Sequence, residues 1–153
     1  MKIESVAIRE GEMVPVRYTC DGEEISPAVS WSDTPARTKS FALIFDDPDI
    51  PPAVRERLGT DAFDHWILYN IPPETRSIPE GESAGVLGRS SAGEAKYIGP
   101  CPPDREHRYF LKLYALDTLL DLPPSAAKKQ VEQSMQGHVL AETTVVARYD
   151  RTR

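Results

Sequence analysis

Apolar and polar positions in this chain alternate over short stretches that are separated by breaks rich in proline and glycine, 14 of the former and 9 of the latter. Proline inside a helix removes a donor and clashes with the preceding turn, so long helices are excluded and the stretches between breaks predict strands. Strands are predicted over 2–8, 40–46 (SFALIFD), 65–71 (HWILYNI), 108–117 (RYFLKLYALD) and 139–149 (VLAETTVVARY). One segment predicts a helix: Pro123 and Pro124 precede a capping Ser125, an apolar stripe runs through Ala127, Val131 and Met135, and Gly137 is placed to end it. A second short turn is predicted near 54–58. With no internal repeat and no linker, the pattern predicts one domain over 1–153. Its class is mainly β, an antiparallel β-sandwich with one or two short helices.

Strand side chains point alternately to opposite faces, so parity shows which polar residues end an apolar face. Phe41, Leu43, Phe45 and Asp47 share one parity; His65, Ile67, Tyr69 and Ile71 share another, which turns Trp66 away from His65. His107, Tyr109, Leu111, Leu113 and Ala115 form a third set. If these strand ends meet, they build an apolar cleft with Asp47, His65, His107 and Tyr109 at its mouth, the composition of a small-molecule site. The plainer alternative is that each is a solvated strand end or a satisfied buried polar group.

Charge narrows the partners. The net charge is −6 with acids and bases interspersed, so the basic stripe that nucleic-acid binding requires is missing. No apolar run reaches the ~20 residues of a membrane span. The N-terminal stretch lacks the apolar region of a signal peptide, which predicts a cytoplasmic protein. Cys20 and Cys101 are too few for a disulfide scaffold and too distant for a CxxC site. Two reduced thiols are expected, a single bridge being the alternative. His138, after the predicted helix, is placed to complement the helix dipole.

Six segments together resemble the bacterial and archaeal, Raf-kinase-inhibitor-like branch of the phosphatidylethanolamine-binding protein family: YTCDGEEISPAVSW at 18–31, DDPDIP at 46–51, DHWILYNIP at 64–72, GPCPP at 99–103, HRYFLKLYALD at 107–117 and GHVLAE at 137–142. The resemblance implies a β-sandwich with an anion pocket at one end, taking phosphate, phosphorylethanolamine or a similar group. Mapped by motif, DPDIP places Asp47, Asp49 and Pro51 in that pocket, with Asp47 as its carboxylate. His65, His107 and Tyr109 face the ligand, and the backbone of Gly99 and Pro100 lines the rim. It also implies a homodimer, with a regulatory role toward a kinase or protease as one that could accompany ligand binding; no cofactor and no metal are expected. Two departures stand out: GRSSAGEAKY at 88–97 lacks the Asn and aromatic residue expected after the glycine, and Arg105 stands where related chains commonly have Gly.

The same residues admit other chemistry. Asp47, His65 and His107 could serve a hydrolase or lyase as acid–base groups with Cys101 as nucleophile, although no nucleophile-elbow motif accompanies them. They could also form a two-His, one-carboxylate metal set, but without a short metal-binding spacing. Binding without catalysis is the expectation. A charged histidine in the pocket predicts that phosphate-type ligands weaken as pH rises through ~5–8.

Overall fold

The computed structural model describes residues 1–151. A five-stranded sheet is built from β3 (Ser40–Asp47), β4 (Phe63–Ile71), β6 (Val86–Leu87), β7 (His107–Leu116) and β8 (Val139–Tyr149), in the order β6-β4-β3-β7-β8. A three-stranded sheet, β1-β2-β5, joins Lys2–Glu4, Val29–Ser32 and Ser77–Ile78. Neighbouring strands pair antiparallel in both. Central strand β3 is buried along its whole length. One of its faces sets Phe41, Leu43 and Phe45 with Leu68, Leu111 and Leu113 against Ile3, Val29, Trp31 and Ile78 of the smaller sheet. Its other face sets Ala42 and Ile44, with Ile67 and Tyr69, under helix α2 (Lys128–Met135), which contributes Val131 and Met135. Cover on both faces is why SFALIFD reads as a continuous apolar run instead of an alternation. No helix among the described residues is long and apolar enough to cross a membrane.

Some boundaries differ from the sequence expectation. Strand β1 stops at Glu4 because Ser5 turns the chain: its Oγ accepts from the N–H groups of Ala7 and Ile8, both at 3.1 Å, and donates to the Ala28 carbonyl at 2.6 Å. Helix α2 starts at Lys128, not at the predicted cap, since Ser125 is left-handed at φ 65°. Ala127 precedes the first turn with its N–H donating to Gln130 Oε1 at 2.9 Å, and Ala126 takes the buried place expected for Ala127. Gly137, at φ 81°, follows the helix as predicted. The turn near 54–58 is helix α1 (Pro52–Leu58), opened by Pro52 and closed by left-handed Gly59. His138 Nδ1 lies 2.8 Å from Asp117 Oδ1, an ion-pairing distance that its placement after the helix had not suggested.

Strand β4 carries the difference that matters for function. Phe45 pairs with Trp66 but Asp46 pairs with Asp64, so His65 is an extra residue, a β-bulge. A second irregularity, between the pairs Phe41–Ile71 and Leu43–Leu68, coincides with Asn70 at φ 52°. The bulge changes the phase of the strand. His65 places its ring 5.9 Å from that of Phe45 and 5.4 Å from that of Tyr109, on the face occupied by Trp66. The expectation that His65 shares a face with Ile67 and Tyr69, with Trp66 turned away, is therefore corrected.

Candidate ligand-binding site

Because β3 ends where β4 and β7 begin, Asp47, His65 and His107 meet at one end of the larger sheet, around a cavity of about 320 Å³. Ile50, Val54, Phe63, Ile98 and Pro103 supply apolar wall. Pro51 and Gly99 are also in the wall; Asp49, Pro100 and Tyr109 lie outside it. Asp49 is committed to Arg108, accepting from its Nε at 2.9 Å, its Nη2 at 2.8 Å and its backbone N–H at 2.9 Å. Those Arg108 hydrogen bonds hold the Asp49 carboxyl down to about 2. The Pro100 carbonyl accepts from Cys20 N–H at 3.1 Å.

Asp47 and His107 form the most buried polar pair of the site. Asp47 Oδ2 lies 2.7 Å from His107 Nδ1, and its Oδ1 accepts the Asp49 N–H at 2.7 Å. On the far side of the ring, His107 Nε2 lies 2.6 Å from Asp104 Oδ1. Two carboxylates on two ring nitrogens require two N–H donors, or one proton shared with a carboxyl. Burial raises Asp47 above the usual carboxylate range against the pull of His107. Desolvation is the largest single influence on Asp104 and acts to raise it, but the hydrogen bond and charge of His107 and the backbone N–H groups of Arg105 and Asp104 together outweigh it, and the net shift is downward. Either way, both nitrogens of His107 are occupied within the protein.

His65 behaves differently. Its Nδ1 lies 2.8 Å from the Ile98 carbonyl oxygen, which can only accept, so Nδ1 carries the hydrogen. Burial draws the imidazole down to about 4, so over pH 5–8 the ring is neutral and Nε2 is a bare lone pair. That atom is buried with no hydrogen-bond partner among the described residues, and so is the Tyr109 hydroxyl. Tyr109 packs behind the cavity, its ring edge-on to His65 and stacked 6.5 Å from His107. Burial pushes its phenol up, so it stays protonated. The expectation of a charged pocket histidine at neutral pH does not hold for His65.

The remaining charge in the wall comes from Arg57, near the end of α1. It is exposed, and no ion pair or hydrogen bond engages its guanidinium among the described residues. Sequence reasoning missed Arg57 and Asp104. The available signals were a cation shortly after DPDIP and an acid three residues before His107, both in segments that periodicity does not reach. No group of three or more His, Cys, Asp or Glu side chains that could hold a metal ion occurs among the described residues.

The segment 97–101, which contributes Ile98, Gly99 and Cys101 to the wall, is tied to residues 18–24. Tyr97 Oη donates to the Tyr18 carbonyl at 2.7 Å, and Gly99 N–H donates to Glu24 Oε2 at 2.9 Å. A Cβ on Gly99 would fall 2.7 Å from the Tyr18 oxygen, so only glycine permits this approach. The same approach sets Cys20 and Cys101 5.5 Å apart at Cα, and they form a disulfide. The expectation of two reduced thiols is corrected. Cys101 lines the cavity as half of a bridge, not as a thiol.

Fold and cavity together define a β-sandwich protein with a ligand-sized pocket at one sheet end. Residues 4–150 match the family model described as phosphatidylethanolamine-binding protein. Over 158 residues the chain is 43% identical to a UPF0098 protein of Methanothermobacter thermautotrophicus, covering 99% of both chains. A crystal structure titled as a putative phosphatidylethanolamine-binding protein homolog from Chlamydia trachomatis superposes with a TM-score of 0.92 at 39% identity, covering 99% of this chain and 97% of that one. Escherichia coli YbcL, described as a new member of the mammalian PEBP family, superposes with a TM-score of 0.87 at 27% identity over 99% and 98%. The chain belongs to the phosphatidylethanolamine-binding protein family.

Proposed function

We propose that the cavity binds a small anionic group, of phosphate or phosphorylethanolamine type, and that the protein acts by binding and not by catalysis. The observation that carries this is Arg57: an exposed guanidinium without a protein partner among the described residues, at the mouth of a cavity with largely apolar walls. A guanidinium pairs with phosphate or carboxylate oxygens through two parallel N–H bonds, and apolar surroundings strengthen such a bond. In this reading the positive charge expected of a pocket histidine comes from Arg57 instead. Asp47, His65 and His107 then form the inner polar surface. A regulatory role toward a kinase or protease, and a homodimer, accompany this reading on the strength of the family resemblance.

Against a hydrolase or lyase stand two features of this geometry. Cys101 is bridged and offers no thiolate, and His107, with a carboxylate on each nitrogen, has no free lone pair to take a proton. Titration of the protein with inorganic phosphate and phosphorylethanolamine, followed by NMR, tests the binding reading. Shifts centred on Arg57, Asp47, His65 and Gly99 are expected, and Arg57→Gln should weaken the affinity roughly tenfold. Absence of any shift at millimolar ligand would remove the proposal.

A further inference from the structure

We propose that the open edge of β8 docks an extended segment of another protein, which adds an antiparallel strand to the larger sheet and sets a basic residue opposite Glu142 with an apolar residue next to it. The site shares no residue with the sheet-end cavity.

β8 is the last strand of its sheet, so one of its sides has no neighbouring strand. Residues 10–14 cover part of that side. Val146 N–H donates to Glu10 Oε2 and its carbonyl accepts from Gly11 N–H, both at 2.8 Å. Arg148 N–H donates to the Glu12 carbonyl at 3.0 Å, and its carbonyl accepts from Val14 N–H at 2.8 Å. Backbone groups along a paired strand point alternately to its two sides, so those of Glu142 and Thr144 face outward with those of Val146 and Arg148. No hydrogen bond engages them among the described residues, and both residues are exposed. An edge left unpaired in this way is a template for a further strand. In such strand addition the main chain supplies affinity and the alternate side chains supply specificity.

The two faces of the edge select the occupant. A residue set directly opposite Glu142 meets a carboxylate that no ion pair or hydrogen bond engages among the described residues; Lys or Arg stabilises that pairing and an acidic residue opposes it. On the other face Ala141 and Val145 pack against the core between the sheets. Beside Val145 opens a cavity of about 450 Å³, with Ile3 and Ile8 in its wall and Val6, 71% exposed, also lining it. A residue opposite Thr143 points to that face, so an apolar side chain there approaches Val145 and the cavity. A second copy of β8 fits less well. With Glu142 opposite Thr144 of the copy, Leu140 of the copy falls opposite Val146, the place that Glu10 and Gly11 hold. The next register that clears them sets Glu142 opposite Glu142, a like-charge contact.

The test is NMR titration of the intact, isotope-labelled protein with the peptide acetyl-Val-Thr-Ile-Lys-Val-Thr-amide. With Ile opposite Thr143, its Lys falls opposite Glu142 and its Val side chains join Ile on the cavity face. Shifts at Glu142, Thr144, Val145 and Val6 are expected, with slowed amide exchange at Glu142 and Thr144. The peptide with Glu in place of Lys should bind about fivefold more weakly, and Glu142→Lys should reverse that order. Thr144→Pro removes an outward N–H and none from the ladder with β7, so it should abolish binding. Absence of shifts on β8 at millimolar peptide overturns the proposal, and so does equal binding of the two peptides. A dimer, seen by light scattering, that comes apart in Thr144→Pro would show that a second copy holds the edge, and it overturns the proposal as well. If Thr144→Pro does not fold, the two peptides and Glu142→Lys still decide the matter.

Discussion

Asp47 Oδ2 and His107 Nδ1 sit 2.7 Å apart although 60 residues separate them in the chain, and both side chains are almost wholly buried. The pair joins the end of β3 to the start of β7 at the cavity. Breaking a buried pair by removing one partner leaves the other desolvated and unanswered, at a cost of about 3–5 kcal/mol. Asp47→Ala should lose stability of that order, because it strands His107 Nδ1 and also the Asp49 N–H. Asp104 lies across the same ring but is 43% exposed, so solvent screens it and Asp104→Ala should cost clearly less than Asp47→Ala. Urea denaturation of the two variants checks the contrast; equal losses would show that the inner pair is not the one that holds the strands.

His65 gives stability a pH dependence whose sign follows from its burial. Its folded pKa, about 4, lies below the unfolded value of 6.5, so between these values the unfolded chain binds the proton and the folded chain does not. Stability from this group is complete above pH 6.5 and declines as pH falls toward 4, by about 3 kcal/mol in all. Asp47 acts in the opposite sense, since its carboxyl is raised on folding and its protonation favours the folded state. The contribution of His65 is therefore the difference between the native curve and that of His65→Gln. Denaturation at a series of pH values from 7 to 4 should show the two curves converging in acid. Parallel curves would mean that His65 takes up its proton in the fold as readily as in the unfolded chain.

The Cys20–Cys101 bridge closes a loop with a sequence separation of 81. In the chain-entropy account, a loop of that size stabilises the fold by about 4–5 kcal/mol. For a chain of this length that corresponds to a fall of roughly 10–20 °C in the unfolding midpoint on reduction. Thermal unfolding with and without reductant measures this directly. Two freely titrating thiols in the untreated, folded protein would contradict the bridge.

How much of this was legible beforehand depended on how regular each strand is. In β3 and β7 the period of two holds throughout, and Phe41, Leu43, Phe45, Tyr109, Leu111 and Leu113 all fall on the face that parity assigns them. In β4 it fails, because a bulge is a single inserted residue with no hydropathy signature. His65 was expected to open the strand, but β4 begins two residues earlier at Phe63, and His65 lies on the other face from the one expected. Arg57 and Asp104 belong to the short helix and the loop that follow and precede strands, where periodicity gives no direction. The disulfide was obscured for another reason: an argument from compartment concerns the surroundings of the chain, whereas the bridge follows from Gly99 letting residues 97–101 lie against 18–24. Donor and acceptor roles at His65 rest on one carbonyl, that of Ile98, which nothing in the sequence marks as a partner.

The second irregularity of β4 offers a test of how the strand keeps its phase. Asn70 is left-handed at φ 52°, and its amide bonds both backbone groups of Leu120, donating to the carbonyl at 2.9 Å and accepting from the N–H at 2.8 Å. Asparagine tolerates this backbone better than most residues, and here its side chain also fastens the strand end to the segment leading into α2. Asn70→Ala would meet both penalties: about 1–2 kcal/mol for the left-handed backbone and about 1 kcal/mol for each lost hydrogen bond. Asn70→Gly would meet the hydrogen-bond loss with little steric strain, offset partly by the greater freedom of glycine in the unfolded chain. Alanine should therefore be the more damaging of the two in chemical denaturation. If glycine proves as costly as alanine, the Leu120 bonds and not the backbone conformation set the end of β4.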